Sequence, residues 1–212
     1  MRCLAVLLFL GLIAGQVFAA DEPFVNPSNW GGTGLMEVPT ARVIRENAYR
    51  IGYSQINPYR YYYGVISPLK GLEIGGRITE VMGVPGFSGS AGAQYGNYKD
   101  KSLDFKYQLI SEGKYMPAFA IGIMDPHGTR LYSSQYIAFS KQIYPFDFTL
   151  GFGNGRFGKK PLPPQGEGIR LEMFQDTKQW LLDSQFFWGV EFAPSKKYAF
   201  MVEYSPIQYH KQ

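Results

Sequence analysis

Along most of the chain apolar and polar residues alternate one by one, the period of an extended strand with two unlike faces. In residues 102–111, SLDFKYQLIS, Leu103, Phe105, Tyr107 and Leu109 share one face, while Asp104, Lys106 and Gln108 share the other. The period returns at Tyr49, Ile51 and Tyr53, at Tyr59, Tyr61, Tyr63 and Val65, and at Leu72, Ile74, Gly76 and Ile78. It continues at Phe119, Ile121 and Ile123, more loosely across residues 133–143, and then at Phe146, Phe148, Leu150 and Phe152. The last runs are Phe186, Trp188, Val190 and Phe192, and Tyr198, Phe200, Val202 and Tyr204. No stretch of useful length carries a competing helical period, so the pattern predicts an all-β, antiparallel chain of hairpins.

The links between these runs sort by length. SPLKG (67–71), SEGKY (111–115) and YP (144–145) are short. Residues 80–101, residues 125–132 and the stretch from about Gly155 to Asp183 are long, and the short INP near residue 57 breaks the trend. Alternation of this kind fits an up-and-down transmembrane β-barrel, with short periplasmic turns and long external loops. In that reading GIRLEMF, residues 168–174, looks like a strand but belongs to the last long link as a hairpin above the rim, and DTKQWLLDS forms a short helix there.

Period two alone does not say whether the apolar face meets a protein core or lipid. Tyr and Phe crowd the ends of the apolar faces, as an interfacial belt requires. The opposite faces mix charge with Gly and Ala, which suits a narrow enclosed interior. Glu73, Arg77, Asp104, Lys106, Asp147, Glu191 and Glu203 are therefore expected to face the lumen of a barrel. Two alternatives stay open on this pattern: a general porin-like channel, and a soluble periplasmic β-sandwich binding module.

Composition narrows the classes. The 212 residues suffice for one large β domain. The formal charge of +4 is mild and no Lys/Arg cluster appears, so nucleic acid is not an expected partner. The start, MRCLAVLLFLGLIAGQVFAA, has a positive Arg2, an apolar run and a small-x-small ending at Ala19. It reads as a cleaved signal peptide over residues 1–19, which directs the chain to export. Cys3, the single cysteine, lies inside it, leaving the mature chain without a disulfide or a cysteine metal site. Residues 20–47 form a Gly-rich leading segment and residues 48–212 the barrel. The segment 26–43 is expected either to fold inward as a plug or to lie along the periplasmic rim. About nine crossings leave the barrel incomplete in this chain, since bacterial single-chain barrels have even counts; a tenth strand at Gly34–Val38 would close it.

Catalytic patterns are poor. GNGRFG (153–158) matches a phosphate-binding Gly pattern, but Pro161, Pro163 and Pro164 forbid the helix that such a loop needs. His127 and His210 are the two histidines, and neither has a ligand partner at metal spacing. Ser133 and Ser134 lie near His127 without a nucleophile elbow. The lumen carboxylates are expected to pair with Arg77 and Lys106 rather than to do acid–base work. A non-enzyme without cofactor or metal is expected.

Several stretches together carry a family resemblance: GTGLMEVPTARV, SPLKGLEIGGRIT, KSLDFKYQLISEGKYMPAFAIGIMD and GTRLYSSQYIAFSKQIYPFDFTLGFGNGRFG. From about Asn29 to Gly158, and more weakly through FFWGVEFAPSKKYAFMVEYSP, the chain resembles the YjbH family. The resemblance implies an outer-membrane β-barrel of a Gram-negative cell, associated with exopolysaccharide or capsule production. It implies a part in exopolysaccharide biosynthesis or transport, with outer-membrane lipid, polysaccharide and other export proteins as partners. Many members are lipoproteins and most are much longer. Without a lipidation cysteine, no lipid anchor is expected here, and the chain reads as a shortened member.

Overall fold

The computed structural model describes residues 24–88, 92–164, 168–195 and 197–207. The expected signal peptide, with Cys3, and His210 lie outside the described residues. Nine strands follow in chain order: β1 (Tyr49–Ile56), β2 (Tyr59–Leu69), β3 (Leu72–Ser88), β4 (Ala93–Ile110), β5 (Ala118–Met124), β6 (Ser134–Ile143), β7 (Phe146–Gly158), β8 (Ser184–Ser195) and β9 (Tyr198–Tyr204). Each pairs antiparallel with the next, in one up-and-down sheet. It is one sheet and not the two packed layers of a sandwich. Among the described residues β1 and β9 are not paired, so the sheet is open at that seam. Gly34–Val38 adds no tenth strand; Gly34 makes an isolated bridge to Pro39. No helix among the described residues is long and apolar enough to cross a membrane.

The open sheet is nonetheless rolled. Laid flat, β1 and β8 would stand roughly 34 Å apart, seven strand spacings. Yet Arg50 Nη2 on β1 donates to the Val25 carbonyl at 2.6 Å, and the adjacent Asn26 Nδ2 donates to Glu191 Oε1 on β8 at 2.9 Å. Two neighbouring residues touch both ends of the sheet only if it curls around them. The segment 24–44 therefore sits inside the roll, and the inward of its two expected placements is the one adopted.

Register sets the outer face in rows. Across β1–β4 one row is Ile51, Gly64, Gly76 and Leu103. The row below is Tyr49, Ile66, Ile74 and Phe105; the row above is Tyr53, Tyr62, Ile78 and Lys101. One step further the face turns polar, with Gln55, Arg60, Glu80 and Lys99. On the other side of the roll Phe139, Leu150, Trp188 and Tyr204 form a comparable outward row.

Three expectations need correction. Residues 80–101 are not a long loop. β3 and β4 continue through most of them, paired as Thr79↔Asp100 and Val81↔Tyr98 and on to Phe87↔Gln94. Register shifts between Val81 and Phe87 absorb Pro85, and Gly83, at φ +81°, takes the left-handed backbone that a bulge there needs. Second, β2 turns its aromatic side inward. Tyr59, Tyr61 and Val65 are buried, and Tyr62 and Ile66 face out. Tyrosine suits either side, since its ring packs and its hydroxyl accepts a polar partner. Third, residues 168–174 form no strand or hairpin: Glu172–Gln175 is a single helical turn, α1. It does lie in the long β7–β8 link, as expected, next to α2 (Thr177–Asp183), whose cap Asp176 accepts from the Gln179 N–H at 3.1 Å.

Candidate functional site

The densest chemistry lies where the leading segment meets the inner face of the sheet. The segment folds on itself first. Ser28 N–H donates to the Gly32 carbonyl at 2.8 Å, Leu35 N–H to Val38 at 2.9 Å, and the Trp30 indole N–H to the Glu37 carbonyl at 3.0 Å. Gly31, at φ +104°, lies flat against the Tyr63 ring, where any Cβ would collide. Trp30, Leu35, Val38 and Ala41 then join Tyr61, Tyr136, Phe157 and Phe187 of the sheet in one apolar cluster.

Around that cluster the inner-face charges grip the segment's backbone. Glu73 accepts from Thr33 N–H at 2.8 Å, from the Thr33 hydroxyl at 2.5 Å and from Ile44 N–H at 3.2 Å. Lys106 closes the same knot, 3.2 Å from Glu73 and donating to the Thr33 carbonyl at 2.7 Å. Glu203, half-buried on β9, accepts the N–H groups of Met36, Glu37 and Val38 at 2.9–3.3 Å. Arg77 pairs with Asp104 at 3.1 Å, and its guanidinium lies over the rings of Trp30 and Tyr132. Of the seven residues expected on the enclosed face, Glu73, Arg77, Asp104, Lys106, Asp147 and Glu191 are buried and Glu203 is half-buried.

The segment also supplies partners that pattern reading missed. Arg42 bridges Asp147 and Glu112, each at 2.5 Å. Arg156 on β7 reaches Glu37 at 2.9 Å. The sequence signals the need for such partners, though not which residues supply them. The seven expected residues comprise five carboxylates and two cations, a surplus of three negative charges that an enclosed face must match. Arg42 and Arg156 are part of that match.

Above the knot, the β5–β6 link and the β7–β8 link lock together. Arg130 Nη2 donates to both oxygens of Glu172, at 2.8 and 2.9 Å, and Gln135 donates to the same carboxylate. Trp180 of α2 donates its indole N–H to the Gln135 carbonyl at 3.0 Å. In the β5–β6 link Asp125 takes the Tyr132 N–H at 3.2 Å, and burial pushes its carboxyl up to about 6. Burial likewise raises the Tyr132 phenol. His127 is exposed in this link, and Ser133 donates to the Met124 carbonyl at 3.2 Å. Among the described residues no three His, Cys, Asp or Glu side chains stand together as metal ligands. GNGRFG, read as a loop, is the upper end of β7.

Chemically, the interior is a fastening. The carboxylates Glu73, Asp104, Asp147, Glu191 and Glu203 are each engaged by a cation, an amide or a backbone N–H. The inner positions beside them are small where bulk must enter: a Cβ at Gly122 would meet the Tyr136 ring at 2.0 Å, and one at Gly189 would meet Leu35 at 2.2 Å.

The model of the YjbH family, described as "Exopolysaccharide biosynthesis protein YbjH", matches residues 26–212. A curated relative, the "Uncharacterized lipoprotein YjbH" of Escherichia coli (strain K12), is 37% identical over 167 residues, 74% of this chain. The chain spans 23% of that relative's length. None of the solved structures matches. The matched span takes in the whole sheet and the segment rolled inside it, and the chain belongs to the YjbH family.

Proposed function

We propose that this chain is a rolled-sheet part of an outer-membrane β-barrel that takes part, without catalysis, in exopolysaccharide production or export. The observation that carries the reading is the inverted distribution of residues. Charged side chains are buried on the inner face, while Leu103, Phe148, Trp188 and Phe200 stand exposed on the outer one. Soluble monomers rarely leave a contiguous apolar surface of such extent in water. Lipid favours it, and the aromatic and cationic rows at its upper edge suit a membrane interface. The family description supplies the link to exopolysaccharide. That the relative is named a lipoprotein supports a membrane-associated setting.

Nine antiparallel strands leave β1 and β9 running the same way, so antiparallel closure takes an odd number of further strands. The interior filled by Trp30, Leu35 and Val38 supports a closed structural role over a porin-like channel. Outer-membrane lipid is the partner of the outer face; polysaccharide and other export proteins are the partners proposed from the family description. Heat-modifiable gel mobility of the outer-membrane fraction tests the reading. A mobility shift on boiling, with retention in the membrane after carbonate washing, is expected. A chain that washes off and migrates identically in both states would overturn it.

A further inference from the structure

The outer face of β1–β4 holds an apolar groove of about 970 Å³. Its floor is bare because Gly64 and Gly76 face each other across β2 and β3, so two adjacent positions of one row carry no side chain. Ile78 and Leu103 wall it, and Lys101 and the exposed His127 line its upper side. Lys99 stands one row higher on the same face of β4. The nearby acid on that row is already held: Glu80 accepts from Asn97 at 2.8 Å and lies 3.6 Å from Arg60. Asp125, also on the wall, is buried.

We propose that this groove binds one anionic phospholipid, its acyl chain over Gly64 and Gly76 and its phosphate against Lys101 and His127. The polarity of the site matches that of the ligand from end to end. A lipid without net charge would leave Lys101 unmatched, and a soluble anion would leave the glycine floor wet. The inference rests on the membrane reading of the outer face.

The test uses the full chain in neutral detergent, with native mass spectrometry after addition of phosphatidylglycerol or phosphatidylcholine of equal chain length. Wild type is expected to keep one phosphatidylglycerol per chain. Gly64→Leu adds bulk to the floor at a position where a Cβ meets no atom within 4 Å. It is expected to cut retention at least tenfold. Lys101→Glu is expected to bring phosphatidylglycerol down to the phosphatidylcholine level. Lys114→Glu, the same charge change beyond the other end of β4, should leave retention intact. Equal retention in wild type and Gly64→Leu would overturn the site, as would equal losses from Lys114→Glu and Lys101→Glu. Heat-modifiable mobility, read on the same samples, separates the two claims. An intact shift with Gly64-insensitive retention removes the groove alone; Gly64-dependent retention without the shift supports the groove and removes the barrel.

Discussion

Neighbouring residues on β4 meet opposite surroundings. Leu103 is 56% exposed, while Asp104 beside it is 8% exposed. The same inversion separates Phe148 from Asp147 on β7 and Phe192 from Glu191, in milder form, on β8. In a water-soluble sheet the aliphatic side would be the buried one. Here burial follows partnership: the inner side chains are covered because the segment 24–44 supplies a cation, an N–H or a ring for them. The outer side chains have no protein cover, and their surroundings must come from elsewhere. β2 sharpens the contrast, because its inner face is tyrosine rather than charge, and Tyr61 lies within 3.4 Å of Arg156.

The largest effect is expected on the inner side. Arg42→Met leaves Asp147 buried without its cation, and breaking such a pair costs about 3–5 kcal/mol. Chemical denaturation in detergent should show that loss, and Arg42→Met with Asp147→Leu should recover a good part of it, because the apolar pair removes the buried Asp147 charge while Glu112 keeps Lys141 at 3.2 Å. The next test is on the outer side. Leu150→Arg in lipid vesicles should cost about 2–4 kcal/mol if its face meets the bilayer interior. A loss within about 0.5 kcal/mol, usual for a solvated surface, would break the contrast. Gly122→Ala drives a methyl into the Tyr136 ring and should cost about 1–3 kcal/mol by overpacking, in detergent and lipid alike.

The last test concerns pH. The Asp125 carboxyl, at about 6 when folded against an ordinary 3.8, holds its proton to higher pH in the folded chain than in the unfolded one. Its contribution to stability is full below the ordinary value and is lost as pH rises through about 6. Asp125→Asn should flatten this step in a plot of unfolding midpoint against pH and leave the chain slightly more stable at pH 8.

Strand existence was legible because period two is a strong signal where Phe, Leu and Val alternate with Asp, Gly and Glu, as in β7–β9. It failed where residue types fit both faces. Tyr59–Tyr63 carries tyrosine on each side, and the alternation there does not say which side is in. The upper half of the β3–β4 hairpin was hidden for another reason. Above Ile78 and Lys101 the strict alternation dissolves among glycines and Pro85 interrupts the pairing, so composition resembles a loop while the backbone stays paired. Helix α2 was readable from DTKQWLLDS, with Asp176 as its cap. The inner charges were readable from parity along each strand. Their partners Glu37 and Arg42 were not, because they sit in a Gly-rich segment without periodicity, and only the folded chain brings Arg42 to Glu112 and Asp147.

Accessibility of spin labels in phosphatidylglycerol-containing vesicles tests the inversion most directly. Single labels at Leu103, Phe148 and Phe200 are expected to collide freely with oxygen and little with a water-soluble nickel chelate, and a label at Lys99, above the apolar rows, is expected to do the reverse. Nickel accessibility at 103, 148 and 200 equal to that at 99 would place the outer face in water and contradict the membrane assignment.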